Sequence, residues 1–96
     1  MIVSFHRLAE QELNESAQYY ERESPGLGAA FLAEAQRCCD AILEYPESGQ
    51  VAVGAVHRRL LRRFPYALLY TVHPNAIRIL AVMNLKRRPG YWVGRS

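Results

Sequence analysis

After Glu47 this 96-residue chain contains no acidic residue. Residues 1–50 carry three arginines against nine acids, a net −6, and residues 51–96 carry nine cations and no acid, a net +9. Carboxylate general-base chemistry in the second half is therefore excluded unless the first half lends a residue. Lysine is nearly missing as well: Lys86 stands alone beside eleven arginines. Arginine offers a planar fork that matches phosphate and carboxylate and stacks on aromatic faces. A GC-rich codon bias accounts for arginine over lysine equally well, but not for acids that stop at Glu47. The asymmetry points to a polyanion or an acidic protein as partner of the second half.

Other absences narrow the class. The only cysteines, Cys38 and Cys39, are adjacent and poorly placed for a relaxed disulfide, and they read as helix side chains, at least one in the core. No CxxC or His/Cys spacing suggests zinc, so no metal and no cofactor is expected. No apolar stretch reaches the roughly 18 residues of a membrane span. The longest candidate, Ala76–Leu85, contains Arg78. The N-terminus lacks the charged start and apolar run of a signal peptide, so the chain reads as cytoplasmic, with no membrane partner. There is no GxSxG, HExxH or P-loop, and His6, His57 and His73 fall in different segments without ligand spacing. Repeats and linkers are missing too. With 50% hydrophobic residues the chain is not disordered, and its length fits a single domain, 1–96.

The hydrophobic periodicity that is present changes once. Ile2–Phe5 reads as a short strand. From Arg7 to Glu23, Ala9, Leu13, Ala17 and Tyr20 form one helical stripe, and Ser24-Pro25-Gly26 ends it. A second helix, Leu27 to Glu44, carries Phe31, Ala35, Cys38 and Ile42 beside a row of Leu32, Cys39 and Leu43. That wide apolar face suits a helix covering a sheet and touching its neighbour. Tyr45-Pro46 ends it, and Pro46–Gly49 reads as a turn. The period then becomes that of strands: His57–Phe64, Tyr66–His73 and Ile77–Asn84. The last is apolar on both faces, which places it inside a sheet. The expectation is an α+β fold of order β-α-α-β-β-β, with an antiparallel helical hairpin packed on a mainly antiparallel sheet.

Two clusters concentrate the cations. In Arg58-Arg59-Leu60-Leu61-Arg62-Arg63-Phe64-Pro65-Tyr66, each strand face would carry two arginines around one leucine. Such a strand is either a solvated edge or a patch for phosphate or a carboxylate-rich partner. In Lys86-Arg87-Arg88-Pro89-Gly90-Tyr91-Trp92, the Pro-Gly bend either turns Tyr91 and Trp92 back onto the sheet or leaves them exposed. Trp92 then closes the end of the core or serves as a stacking platform beside cations.

These pieces, in this order and at this length, resemble the RelE/ParE superfamily of type II toxin–antitoxin toxins. The carriers are the element order, the helix ending in Tyr45-Pro46, Arg-Arg-Phe-Pro-Tyr at 62–66 followed by Tyr70, and Lys-Arg-Arg-Pro-Gly-Tyr-Trp at 86–92. The resemblance implies a growth-inhibiting toxin that a cognate antitoxin protein neutralises. RelE-like members cut mRNA on the ribosome, whereas ParE-like members poison DNA gyrase. A RelE-like arginine is replaced here by Ala67, only one lysine remains, and Tyr91 follows Arg87 at a shorter spacing than the family's terminal tyrosine. The Phe-Pro-Tyr and Arg-Arg-Pro-Gly-Tyr-Trp forms look more like the ParE-like, plasmid-stabilisation branch. The resemblance therefore implies a non-enzymatic gyrase inhibitor whose target or antitoxin contacts are Arg58, Arg59, Arg62, Arg63, Arg87, Arg88, Tyr91 and Trp92. The alternatives are a ribosome-dependent endoribonuclease, with Arg63 and Arg87 on phosphate and Tyr91 as acid–base, and an inactive relative that only binds its antitoxin.

Overall fold

We describe a computed structural model covering residues 1–96. The elements are β1 (Ile2–Phe5), α1 (Arg7–Glu23), α2 (Leu27–Glu44), a 3-10 turn (Pro46–Ser48), β2 (Gln50–Val53), β3 (Val56–Leu60), β4 (Tyr66–His73) and β5 (Ala76–Asn84). They form an α+β fold with a five-stranded mixed sheet of order β1-β5-β4-β3-β2. β1 lies parallel to β5, and every other pair is antiparallel. The strand expected inside the sheet, β5, does lie between β1 and β4.

Two features depart from the sequence reading. An additional strand, β2, precedes the basic one and forms the far edge of the sheet. All four of its residues are exposed, so no alternation announces it. It exists through pairing with β3 across a turn in which Gly54 takes φ +53°, a left-handed angle that favours glycine. The segment expected as strand 57–64 stops at Leu60, because the chain must turn before Pro65, which has no N–H for a ladder. The Tyr66 carbonyl accepts from the Leu61 N–H at 2.9 Å and closes that turn. The turn expected at Pro46–Gly49 is present as a 3-10 turn over Pro46–Ser48, with the Ser48 hydroxyl donating to the Tyr45 carbonyl at 2.7 Å.

The helical hairpin owes its closeness to Gly28. A Cβ there would stand 2.5 Å from the Ala17 carbonyl oxygen, so any larger residue would push α1 and α2 apart. The start of α2 has no side-chain cap of its own, since its N-cap is Gly26 at φ +88°. Glu21 reaches over from α1 instead and accepts from the N–H groups of Gly26 and Gly28, each at 3.0 Å. A carboxylate at that position also meets the positive end of the α2 backbone dipole.

The sheet is covered on both faces. Towards the helices, Leu68 and Tyr70 of β4 and Ile77 and Ile79 of β5 pack with Phe31 and Ile42 of α2. On the other face, Ala67, Leu69, Ala81 and Met83 pack under Trp92. Each large apolar side chain so buried contributes about 1.5–3 kcal/mol. Cys38 and Cys39 are both buried on the α2 side, unpaired. Burial pushes their thiols up, to about 11 for Cys38, where Arg59 opposes the rise, and to about 12 for Cys39. No helix is long and apolar enough to cross a membrane.

Candidate functional site

The first arginine cluster does not form the two-faced strand expected from its sequence. Because β3 ends at Leu60, the four side chains leave in different directions. Arg58 stands opposite Leu69, whose side chain belongs to the face covered by Trp92, whereas Arg59 stands opposite Leu68 on the helix-facing side. Arg59 donates from Nη1 to the Ser48 hydroxyl at 2.6 Å. Arg62 and Arg63 sit in the turn, exposed to solvent. The Arg62 backbone N–H donates to Glu34 Oε1 at 2.7 Å, and the Arg37 guanidinium pairs with the other oxygen. Burial by itself would raise the Glu34 pKa. The Arg62 N–H and the Arg37 charge more than offset it and hold the carboxyl below its ordinary value. The turn is thus tied to α2 through a buried carboxylate, which leaves the Arg62 side chain free. Arg63 lies over the Phe64 ring, 5.6 Å from its centre. Phe64 in turn packs edge-on against Tyr20 and Phe31.

The second cluster follows β5. Asn84 shapes its start: the side-chain oxygen accepts from the Lys86 N–H and the backbone oxygen from the Arg87 N–H, both at 2.9 Å. Gly90 then takes φ +82°, and the chain folds back. Of the two outcomes open for the Pro-Gly bend, the chain takes the return. Trp92 is 5% exposed and closes the second face of the core, so its ring is not a free stacking platform. Two guanidinium groups lie over the Tyr91 ring, Arg87 3.9 Å and Arg95 5.1 Å from its centre. Its hydroxyl oxygen is buried beside the Glu12 carboxylate, close enough to feel it as a hydrogen-bond acceptor but without a well-aligned bond. Burial first, and the Glu12 carboxylate second, push the phenol well above its ordinary value. A phenol held so is a poor proton donor near neutral pH. Arg87 and Arg88 remain exposed.

Two residues that the sequence reading left out organise this region. Glu12 accepts from Arg95 through both of its oxygens and from the Val82 N–H, each at 3.0 Å. Arg95 also donates to the Leu80 carbonyl at 3.0 Å. Glu12 lies off the apolar stripe of α1, so no sequence signal marked this role. Beside it, Arg87, Tyr66, Asn84 and Glu15 line a cleft of about 200 Å³. The carboxylates missing from the basic half are therefore lent by α1, although Glu12 is already fully engaged. No three His, Cys, Asp or Glu side chains converge as a metal ligand set.

The architecture places the chain in a class. A solved structure described as "Chromosomal ParDE TA system from P. aeruginosa" superposes with a TM-score of 0.64, covering 90% of this chain and 97% of that chain at 17% sequence identity. That likeness is one of fold. The sequence comparison is narrower: residues 3–89 match the family described as "ParE toxin of type II toxin-antitoxin system, parDE", and the chain belongs to that family. No curated protein matches the sequence.

Proposed function

We propose that this ParE-family chain is an active growth inhibitor, a single toxin domain that works in the cytoplasm by binding DNA gyrase and is neutralised by a cognate antitoxin. The observation that carries the binding mode is the state of the arginines. Arg62, Arg63, Arg87 and Arg88 are all exposed, and two of them rest on aromatic rings. Stacked guanidinium groups keep their forks free for carboxylates while losing less side-chain freedom on binding. Gyrase as the target rests on the ParE-like character of the sequence. Arg58, Arg59, Tyr91 and Trp92 contribute by shaping and supporting this surface.

A second reading, ribosome-dependent mRNA cleavage, is favoured by one contact, the Arg87 fork held against Tyr91. Arg63 and Arg87 would then hold phosphate and stabilise developing charge. The Tyr91 hydroxyl speaks against it, since it is buried beside the Glu12 carboxylate and its proton is held more tightly than in a free phenol. Induced expression separates the readings. The expected result is gyrase-dependent DNA damage with ribosome-bound mRNA intact. Cleaved mRNA that becomes intact again in Arg87→Ala or Tyr91→Phe overturns the gyrase reading. Growth unaffected by expression, with the antitoxin still bound, identifies an inactive relative.

A further inference from the structure

Two clefts adjoin between α1 and the chain that leaves β5. The larger, about 480 Å³, is lined by Glu15, Ser16, Tyr19, Tyr20, Tyr66 and Lys86 among others. The smaller, about 200 Å³, shares Glu15, Ser16, Tyr66 and Asn84 with it and reaches Arg87. The larger falls within the roughly 300–1,000 Å³ of small-molecule sites. Its charges are divided between two walls. Glu15 stands on the α1 wall, and Lys86 and Arg87 stand on the wall that follows β5. None of the three enters an ion pair within the chain. Glu15 accepts one hydrogen bond, from Gln11 at 3.0 Å, and a carboxylate can accept several more. Asn84 uses its side-chain oxygen on the Lys86 N–H, which leaves its amide NH₂ to offer. Between the charges the lining is aromatic. Tyr66, 6% exposed, underlies both clefts. The Tyr19 ring is half exposed, and its hydroxyl donates to Glu23 at 3.1 Å, which limits its freedom. An unpaired carboxylate, a tethered aromatic ring and two unpaired cations thus line one polar recess.

We propose that this recess binds a guanine nucleotide. The base stacks on Tyr19 and gives the N–H donors of its pairing edge to Glu15, and the phosphate meets Lys86 and Arg87. The carboxylate selects the base. Guanine alone among the common bases presents two neighbouring donors on its pairing edge. The others set an acceptor beside each donor, and a carboxylate repels that acceptor. The aromatic lining selects a nucleotide over a peptide with one basic and one acidic side chain, which would need only the charges. The site lies apart from the arginines at 58–63 and does not depend on which protein the chain inhibits. A nucleotide bound there does occupy Arg87, one of the exposed arginines of the second cluster.

The test is an NMR titration of the whole 96-residue protein with guanosine monophosphate. The expected result is shift changes concentrated at the amides of residues 15–20 and 84–87, with binding about tenfold tighter than that of adenosine monophosphate. Glu15→Gln is expected to remove that preference. Tyr19→Leu is expected to weaken guanosine monophosphate about tenfold, the loss of one stacking ring. In Lys86→Gln/Arg87→Gln the advantage of guanosine monophosphate over guanosine is expected to shrink by about threefold or more. These side chains reach solvent, and unchanged amide shifts in β1 confirm that each variant is folded. Several results overturn the proposal: no binding, shifts centred elsewhere, equal binding of adenosine monophosphate or of an arginyl-aspartate peptide, or variants that bind as the native chain does. A guanine-containing single strand that moves these amides while the free nucleotide does not also overturns it, and assigns the recess to a polynucleotide.

Discussion

Glu12 and Arg95 lie 83 residues apart in sequence and meet fork to fork, through two hydrogen bonds of 3.0 Å. Their position explains the pairing. β1 follows β5 only as far as Ile79, so beyond it the β5 edge would carry unpaired backbone groups. Glu12 takes the Val82 N–H and Arg95 takes the Leu80 carbonyl. The last turns of the chain are fastened to the first helix by the same contact that seals the sheet edge, and Tyr91 is fixed under Arg95 as a result.

Breaking this clasp destabilises the fold. Both side chains are mostly buried, 12% and 15% exposed, so the effect lies between that of a surface pair and a fully buried one. Arg95→Met is expected to lower unfolding free energy by about 1–3 kcal/mol. A double-mutant cycle with Glu12→Gln, read by urea denaturation, checks it. Coupling under about 0.5 kcal/mol marks the pair as an ordinary surface contact.

Tyr91→Phe is expected to change stability by less than about 1 kcal/mol, because the lost hydroxyl is buried beside Glu12 without a well-aligned hydrogen bond. Thermal unfolding measures this directly. Tyr91→Ala, by contrast, removes the ring on which Arg87 and Arg95 rest and opens the second core face, with an expected loss of about 3 kcal/mol. A loss of more than about 1 kcal/mol in the phenylalanine variant means that the hydroxyl has a partner after all.

At Gly28 the expected outcome is a hairpin forced apart. Gly28→Ala sets a methyl 2.5 Å from the Ala17 carbonyl, so backbone and not a flexible side chain must yield. The gain in helix propensity, about 1 kcal/mol, is outweighed, and a net loss of about 1–3 kcal/mol is expected. Gly54→Ala provides a comparison. It faces open space but sits at φ +53°, so the backbone angle alone determines its smaller loss. Equal Tm values for Gly28→Ala and the native chain contradict this packing.

Stability should fall in alkaline solution. Burial raises Cys38 to about 11 and Cys39 to about 12, against an ordinary value of 9.0. Below pH 9 both folded and unfolded chains keep these protons and nothing changes. As the pH rises from 9 towards 11, the unfolded chain releases them first, and folding loses about 1.4 kcal/mol per pH unit per thiol. Tyr20, Tyr70 and Tyr91 are raised by burial as well and act in the same direction at higher pH. Urea denaturation at pH 8 and pH 10.5 measures the fall. A Cys38→Ala/Cys39→Ala variant is expected to show a shallower slope, and an unchanged slope assigns the effect elsewhere.

The exposed arginines are expected to separate function from stability. Arg62→Ala/Arg63→Ala and Arg87→Ala/Arg88→Ala should each change unfolding free energy by less than about 1 kcal/mol, since these side chains reach solvent. In a growth assay each should relieve inhibition. Full inhibition by both variants moves the working surface away from the turns after β3 and β5.

Local pattern alone determined both helices, together with β1, β4 and the interior place of β5. Each of these depends on periodicity, a proline or glycine stop, or two-sided apolarity, all of which are properties of neighbouring residues. The charge division was also legible: nine acids fall in the first half of the chain and none after Glu47. What needed the tertiary structure was everything set by contact across the chain. β2 has no buried residue and exists only because β3 pairs with it. The arginines at 58–63 leave in separate directions because the chain turns before Pro65, which no spacing of charges encodes. The return of Trp92 onto the sheet is a long-range choice too, made by an apolar face that β4 and β5 create together. Glu12 looked like a solvated helix acid until β5 presented it with an unpaired N–H, because a buried donor must be satisfied by whichever acceptor the fold brings near.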